Sequence, residues 1–220
     1  MIQGLENVLL IAVIIYSIIL HEISHGFVAH LLGDDTAKRQ GRLSLNPLQH
    51  IDTFGTIILP LVMYLFSGMA FGYAKPVPVN PYNFNNHKRD MGLTALAGPI
   101  CNISISIIVS FIFALLIKMG LIHTQAAAGF WQKLIMINLF LAFFNLIPFP
   151  PLDGSKVVGM FLSDEAYVKF TMQERKGMLI FIGLIVISRL FNLSIFRFII
   201  YPVSIAYQGI MWFMQLILGL

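Results

Sequence analysis

The fold class this sequence predicts is an all-α polytopic membrane protein with about five to six membrane segments, one re-entrant segment and a short β element. Three observations lead there. Of 220 residues, 58% are hydrophobic and 11% charged, with a mean hydropathy of +0.83, whereas soluble domains average about a quarter charged. The apolar residues gather into blocks at about 5–32, 54–73, 91–117, 128–149 and 177–219, and a helix needs about 20 such residues to cross a bilayer. The loops between blocks are short, without an internal repeat or low-complexity linker, so a single domain over 1–220 is expected.

Block 5–32 reads as a helix that stays in the membrane. The residues before it, Met1 to Asn7, carry Glu6 and no basic n-region, so no cleavable signal peptide is expected. Segment 36–48 reads differently. Gly41 suits a turn, and Arg42, Leu43, Ser44 and Leu45 alternate polar and apolar, which predicts a short hairpin or strand. Block 54–73 is interrupted by Gly55, Pro60, Gly68 and Gly72, and basic residues follow it (Lys75, Lys88, Arg89), so it is expected to enter the membrane without crossing. Across 72–86, Pro76, Pro78 and Pro81 are spaced too closely for a helix. An extended segment is expected there, with free backbone groups along at least one edge. Blocks 91–117 and 128–149 predict crossing helices. Block 177–219 is long enough for two passes, broken around Arg189 to Arg197, with Pro202 near the start of the second.

Composition also excludes several classes. One cysteine, Cys101, rules out an intramolecular disulfide framework and a cysteine-based zinc site. The net charge of +4 and pI near 9.3 do not indicate nucleic-acid binding, because the basic residues are scattered through short loops. The tendency of cytoplasmic loops to collect Lys and Arg explains them.

The chemistry lies in the first block, at His21-Glu22-Ile23-Ser24-His25. On a helix, His21 and His25 are about 40° apart around the axis, so both imidazoles can hold one zinc ion. Glu22 is then placed to act as general base toward a water. Ionisable groups at membrane depth are costly and usually functional, which favours a metal site over a helix that carries these residues by chance. Catalytic zinc commonly takes three protein ligands and leaves a position for water. For the third, His30 fails on geometry, pointing about 140° and 180° away from His25 and His21. Asp34, Asp35, His50, Asp52 and Asp153 remain open. Asp153 follows Asn145-Leu146-Ile147-Pro148-Phe149-Pro150-Pro151-Leu152, where prolines end an apolar helix and can leave a carboxylate beside a protein-lined cavity.

The pairing of HEISH in one membrane helix with NLIPFPPLDG at the end of a later one resembles the site-2 protease family of intramembrane zinc metalloproteases. Ala97-Gly98-Pro99-Ile100-Cys101-Asn102 and Gly41-Arg42-Leu43-Ser44-Leu45-Asn46-Pro47-Leu48, leading into His50-Ile51-Asp52, agree with it. The resemblance spans about 8–160 and leaves the hydrophobic stretch 177–219 outside. It implies one zinc per chain on His21, His25 and Asp153, with Glu22 as base and Asn145 in the active-site region. It further implies a membrane-protein substrate cut in or beside a transmembrane helix, as in regulated intramembrane proteolysis. The chain reads as a minimal member, without the PDZ insertion or CBS extension seen in others. Asn102 itself reads as an interhelix hydrogen-bond partner beside close small-residue packing.

The shared metal imposes a topology. His25 precedes Lys38, Arg39 and Arg42, and Asp153 precedes Lys156, so both ligand-bearing helices are expected to run toward the cytoplasm. Only one complete crossing can then separate them, which is why block 54–73 is expected to be re-entrant. With that arrangement, all the basic residues except Lys118, Lys133, Arg189 and Arg197 fall on the cytoplasmic side. The expected setting is a multi-pass protein of the cell membrane with its site toward the cytoplasm, surrounded by lipid; its oligomeric state is left open. Extended segment 72–86 and the strand near 42–46 are candidates to hold an unwound substrate by edge pairing. Two other uses of the same residues fit the sequence less well. A metal or solute transporter needs no base beside the metal, and no inverted repeat is visible. An inactive scaffold would not need Glu22 and all three ligands. An unrelated metallopeptidase with a glutamate as third ligand is disfavoured, since no Glu follows Glu22 until Glu165.

Overall fold

The structure is a computed structural model, described here for residues 2–67, 72–191, 193–194 and 197–219. Its helices are α1 (Ile2–Leu31), α2 (Thr36–Arg39), α3 (Leu59–Ser67), α4 (His87–Lys118), α5 (Gln125–Asn145), α6 (Asp153–Gly159), α7 (Asp164–Thr171), α8 (Glu174–Leu190) and α9 (Arg197–Leu218). A π-helical stretch, Thr53–Ile58, leads into α3. The ends have local causes. Gly33, at φ 107°, turns the chain out of α1 through a backbone conformation that other residues rarely adopt. Asn86 and Thr124 cap α4 and α5 by accepting from Arg89 N and Ala127 N. The break expected around Arg189 to Arg197 separates α8 from α9.

Among the described residues, three helices are long and apolar enough to cross a membrane: Glu6–Leu31, His87–Lys118 and Gln125–Asn145. Shorter apolar helices occupy Thr53–Leu65 and Lys176–Ser188. Exposed Val8, Ile11, Ile108, Leu179, Trp212 and Leu216 give the helices apolar outer surfaces suited to lipid. This is a multi-pass membrane protein. Its core has two clusters. Phe113 of α4, Ile135 and Leu139 of α5, and Ile199 and Val203 of α9 form one, while Leu59 and Met63 of α3 meet Phe181 and Ile185 of α8 in the other.

Hydrogen bonds fix the helix directions. His25 bonds to Thr94 and His21 to Asn102, so α1 and α4 run antiparallel. Asn102 bonds to Asn138, and Ser106 Oγ to the Ile135 carbonyl, so α4 and α5 are antiparallel too. Helices α1 and α5 therefore point the same way with α4 between them, as a shared metal requires. The intervening block returns to where it began: Tyr73 N donates to Gly55 O at 3.0 Å, and Lys75 N to His50 O at 2.9 Å. Gly68, one of its expected interruptions, lies outside the described residues.

The short β element expected at 42–46 is corrected by the structure, since no strand occurs among the described residues. The polar–apolar alternation there covers too few residues, and the local polar groups are otherwise engaged. The Ser44 carbonyl accepts from the His50 ring, and Asn46 caps the tight turn Pro47–His50. Of the segment predicted to be extended, 72–86, residues 73–80 are free of helix but Pro81–Asn83 form a single tight helical turn capped by Asn80, and the edge of 73–80 is largely taken. The N–H groups of Tyr73, Lys75, Val77 and Asn80 donate to Gly55 O, His50 O, Glu22 Oε2 and Asp34 Oδ2. Pro76 and Pro78 have no N–H to offer.

Candidate metal centre

On α1 the four-residue spacing brings His21 and His25 together, ring centroids 4.7 Å apart and edge to face. Helix α4 closes over them because residue 98 is glycine. A Cβ there would stand 2.5 Å from the His21 ring and 2.6 Å from that of His25. Asp153 arrives from the other end of the sequence as the first residue of α6, after α5 has ended and the chain has turned through a cis Pro150–Pro151 bond. The next residue is again a forced glycine, since a Cβ on Gly154 would lie 2.2 Å from the Leu146 carbonyl oxygen. Asp153 Oδ2 stands 3.1 Å from His21 Nε2 and 3.3 Å from His25 Nε2. All three side chains are buried, and their ligand atoms lie within 4.8 Å of one another.

The outer bonds say what the cluster is for. His25 Nδ1–H donates to the Thr94 carbonyl at 2.8 Å, and His21 Nδ1–H to Asn102 Oδ1 at 2.6 Å. Asn102 is oriented in turn, because its amide donates to Asn138 Oδ1 and the Asn138 amide donates to the Leu134 carbonyl. With hydrogen on both Nδ1 atoms, both Nε2 lone pairs face the Asp153 carboxylate. With neutral imidazoles these are three buried acceptors, which are unfavourable together unless a proton or a metal ion lies between them. A cation resolves the conflict, and two imidazole nitrogens with one carboxylate oxygen suit zinc.

The family model described as Peptidase family M50 matches residues 115–190, which include Asp153. The chain is 38% identical over 181 residues to the proposed zinc metalloprotease YwhC of Bacillus subtilis (strain 168), covering 80% of each chain. This chain belongs to peptidase family M50, the site-2 protease family. It is also 32% identical over 149 residues to the proposed zinc metalloprotease MJ0611 of Methanocaldococcus jannaschii, covering 67% of this chain and 72% of that one. Identity to the proposed zinc metalloprotease Rip2 of Mycolicibacterium smegmatis is 26% over 188 residues, covering 81% and 67%. No solved structure matches the chain. Zinc is the metal these names carry and the one the donor set fits.

Within this M50 centre, the structure brings together His21, His25 and Asp153 from among the residues singled out in sequence. Glu22 lies beside them on α1, with Oε2 accepting from Val77 N at 2.9 Å. The Asn145 amide turns back to the Leu141 carbonyl of its own helix. The other carboxylate and histidine candidates have local structural partners. Asp34, fully buried in the loop after α1, accepts from Thr36, Asn80 and Asn83. Burial acts to raise its pKa, but these donors outweigh it and hold the carboxyl below its ordinary value. Asp35 pairs with His30, Asp52 caps Gly55 N, and His50 holds Ser44.

Thr94 and Asn138 were missed in sequence, Gly98 was read only within the family-like stretch and as close packing, and Asn102 only as an interhelix partner. It is that, and it also orients His21. A signal for the group was present. Thr94, Gly98, Asn102, Ser106 and Ser110 follow a four-residue period and mark one small, polar face on an apolar helix. All five are buried.

Proposed function

We propose that this M50 chain is an intramembrane zinc metalloendopeptidase that hydrolyses a peptide bond in or beside a transmembrane helix of a membrane-protein substrate. The observation that carries this reading is the buried His21–His25–Asp153 cluster with Glu22 adjacent, in which the histidines and Glu22 lie on α1, a helix apolar enough to cross a bilayer, and Asp153 opens the short α6. When bound, zinc supplies Lewis acidity, polarising a scissile carbonyl and making a water acidic enough to lose its proton near neutral pH. The chain's residues do the rest. His21, His25 and Asp153 hold the metal, and the Thr94 carbonyl and Asn102 keep both imidazoles in the ligating tautomer. Glu22 takes the proton of the attacking water and passes it to the leaving amine. Asn145 belongs at the edge of the same region, where α5 ends just before the turn to Asp153. A substrate helix shields its peptide bonds with its own hydrogen bonds, so it unwinds locally before cleavage.

The topology belongs to the same proposal. Block 54–73 is re-entrant, a reading supported by the bonds that join Tyr73 to Gly55 and Lys75 to His50 at its two ends. The protein sits in the cell membrane with the site toward the cytoplasm, where most of its Lys and Arg residues fall. A transporter reading gains nothing from Glu22.

The test is Glu22→Gln. The variant should keep about one zinc per chain, because Glu22 is assigned proton transfer and not coordination. Compared with wild type, membrane proteomes of cells carrying it should accumulate uncut substrate. A variant that still cleaves would remove this site as the catalyst, and one that loses zinc would undo the division of roles.

A further inference from the structure

We propose that extended segment 73–80 is a positioning element for Glu22, with the Val77 backbone N–H holding one carboxylate oxygen and leaving the other for the water. The inference rests on the reading of Glu22 as general base. Val77 N meets Glu22 Oε2 at 2.9 Å across 55 residues of sequence. Glutamate is a long side chain whose rotamer freedom is costly to freeze. A base must also be held close to its productive geometry by its surroundings. A backbone donor does this well only if its own segment is fixed.

Segment 73–80 is fixed on both sides of Val77. Before it, Tyr73 N donates to Gly55 O and Lys75 N to His50 O, while Arg42 Nη2 donates to Lys75 O at 2.9 Å. After it, Asn80 N donates to the buried Asp34 at 2.7 Å. Arg42 is itself buried, yet the bonds it makes here go to backbone carbonyls of this segment. The Val77 side chain is 6% exposed and lies over Gly26, where a Cβ would come within 2.7 Å of it. Gly26 follows His25 directly, so the segment seats against the stretch of α1 that carries the motif. Pro76 and Pro78 leave Val77 as the sole N–H donor of the three residues, and Pro78 confines Val77 to extended backbone.

The test uses full-length zinc-loaded protein in liposomes, with a synthetic single-span transmembrane peptide as substrate. Val77→Pro deletes the N–H at a position already restricted to extended backbone. It should keep one zinc per chain and lower kcat by about tenfold to a hundredfold, the scale of a small misplacement of a catalytic group, with KM within about twofold. A readout independent of turnover is hydrogen exchange at the Val77 amide, which should be at least about tenfold faster in Glu22→Ala than in wild type. Wild-type or higher turnover in Val77→Pro overturns the proposal, the latter by making the contact inhibitory. So does equal Val77 exchange with and without the Glu22 carboxylate. A Glu22→Gln enzyme that cleaves the peptide removes the underlying assignment. A dead Glu22→Gln enzyme beside a fully active Val77→Pro removes only the role of the segment.

Discussion

At the scale of single residues, the candidate metal centre is defined by what surrounds His21, His25 and Asp153 as much as by these three side chains. Asp153 and Asp52 were both open as third ligands from sequence, and each has a distinct environment in the fold. Asp153 faces two bare Nε2 atoms inside the bundle, whereas Asp52 spends Oδ1 on the Gly55 N–H at the start of the π-helical stretch. Purified Asp153→Ala should therefore lose most of its zinc, while Asp52→Ala should hold about one per chain, measured by metal analysis after dialysis against a weak chelator. Equal losses would move the third ligand to segment 50–52. The HEISH spacing made the pairing of His21 and His25 legible, because a helix needs only periodicity to bring residues four apart together. Thr94 was legible only as a member of the small, polar face of α4: its contribution to the site is a backbone carbonyl, which that pattern does not announce.

At the scale of elements, the helices were legible and the connections only partly so. Long apolar blocks specify α1, α4 and α5, the last two opened by the polar caps Asn86 and Thr124, since burial of such stretches in lipid leaves the helix as the satisfied backbone conformation. The β element at 42–46 failed for a different reason. A strand depends on a partner edge, and the nearest extended segment is held instead by side chains and isolated carbonyls: Glu22, Asp34, Gly55 and His50. Asp34 shows how much one residue does there, joining the end of α1 to residues 80–83 through donors on both carboxylate oxygens. Asp34→Asn replaces one acceptor with a donor facing a donor, and should loosen this loop by on the order of 1–3 kcal/mol. The pH dependence follows from the lowered pKa. The contribution is complete above the unfolded-state value near 4 and is lost as pH falls through the lower folded value. Amide exchange at Asn80, corrected for its intrinsic rate, should rise on acidification below that value in wild type. In Asp34→Asn it should already be fast and insensitive to pH over the same window.

At the scale of the whole molecule, the ligands and the topology constrain each other. His21 and His25 lie near the end of α1 and Asp153 lies just beyond the end of α5, so one metal can join them only if the two helices run the same way. The bonds of α4 to both helices make them parallel. An even number of crossings between them would place Asp153 at the wrong face of the membrane. The proposed re-entrant path of block 54–73 leaves α4 as the one crossing, and Arg42 bonding to the Lys75 carbonyl joins the chain before the block to the chain after it. In a background lacking Cys101, exposed positions Gln40, Lys75 and Lys118 can each be changed to cysteine and labelled with a membrane-impermeant reagent in oriented vesicles. Gln40→Cys and Lys75→Cys should label from the cytoplasmic side, and Lys118→Cys, at the far end of α4, from the opposite side. Labels at 40 and 75 on opposite sides would break the parity, and with it the sharing of one zinc by His21, His25 and Asp153.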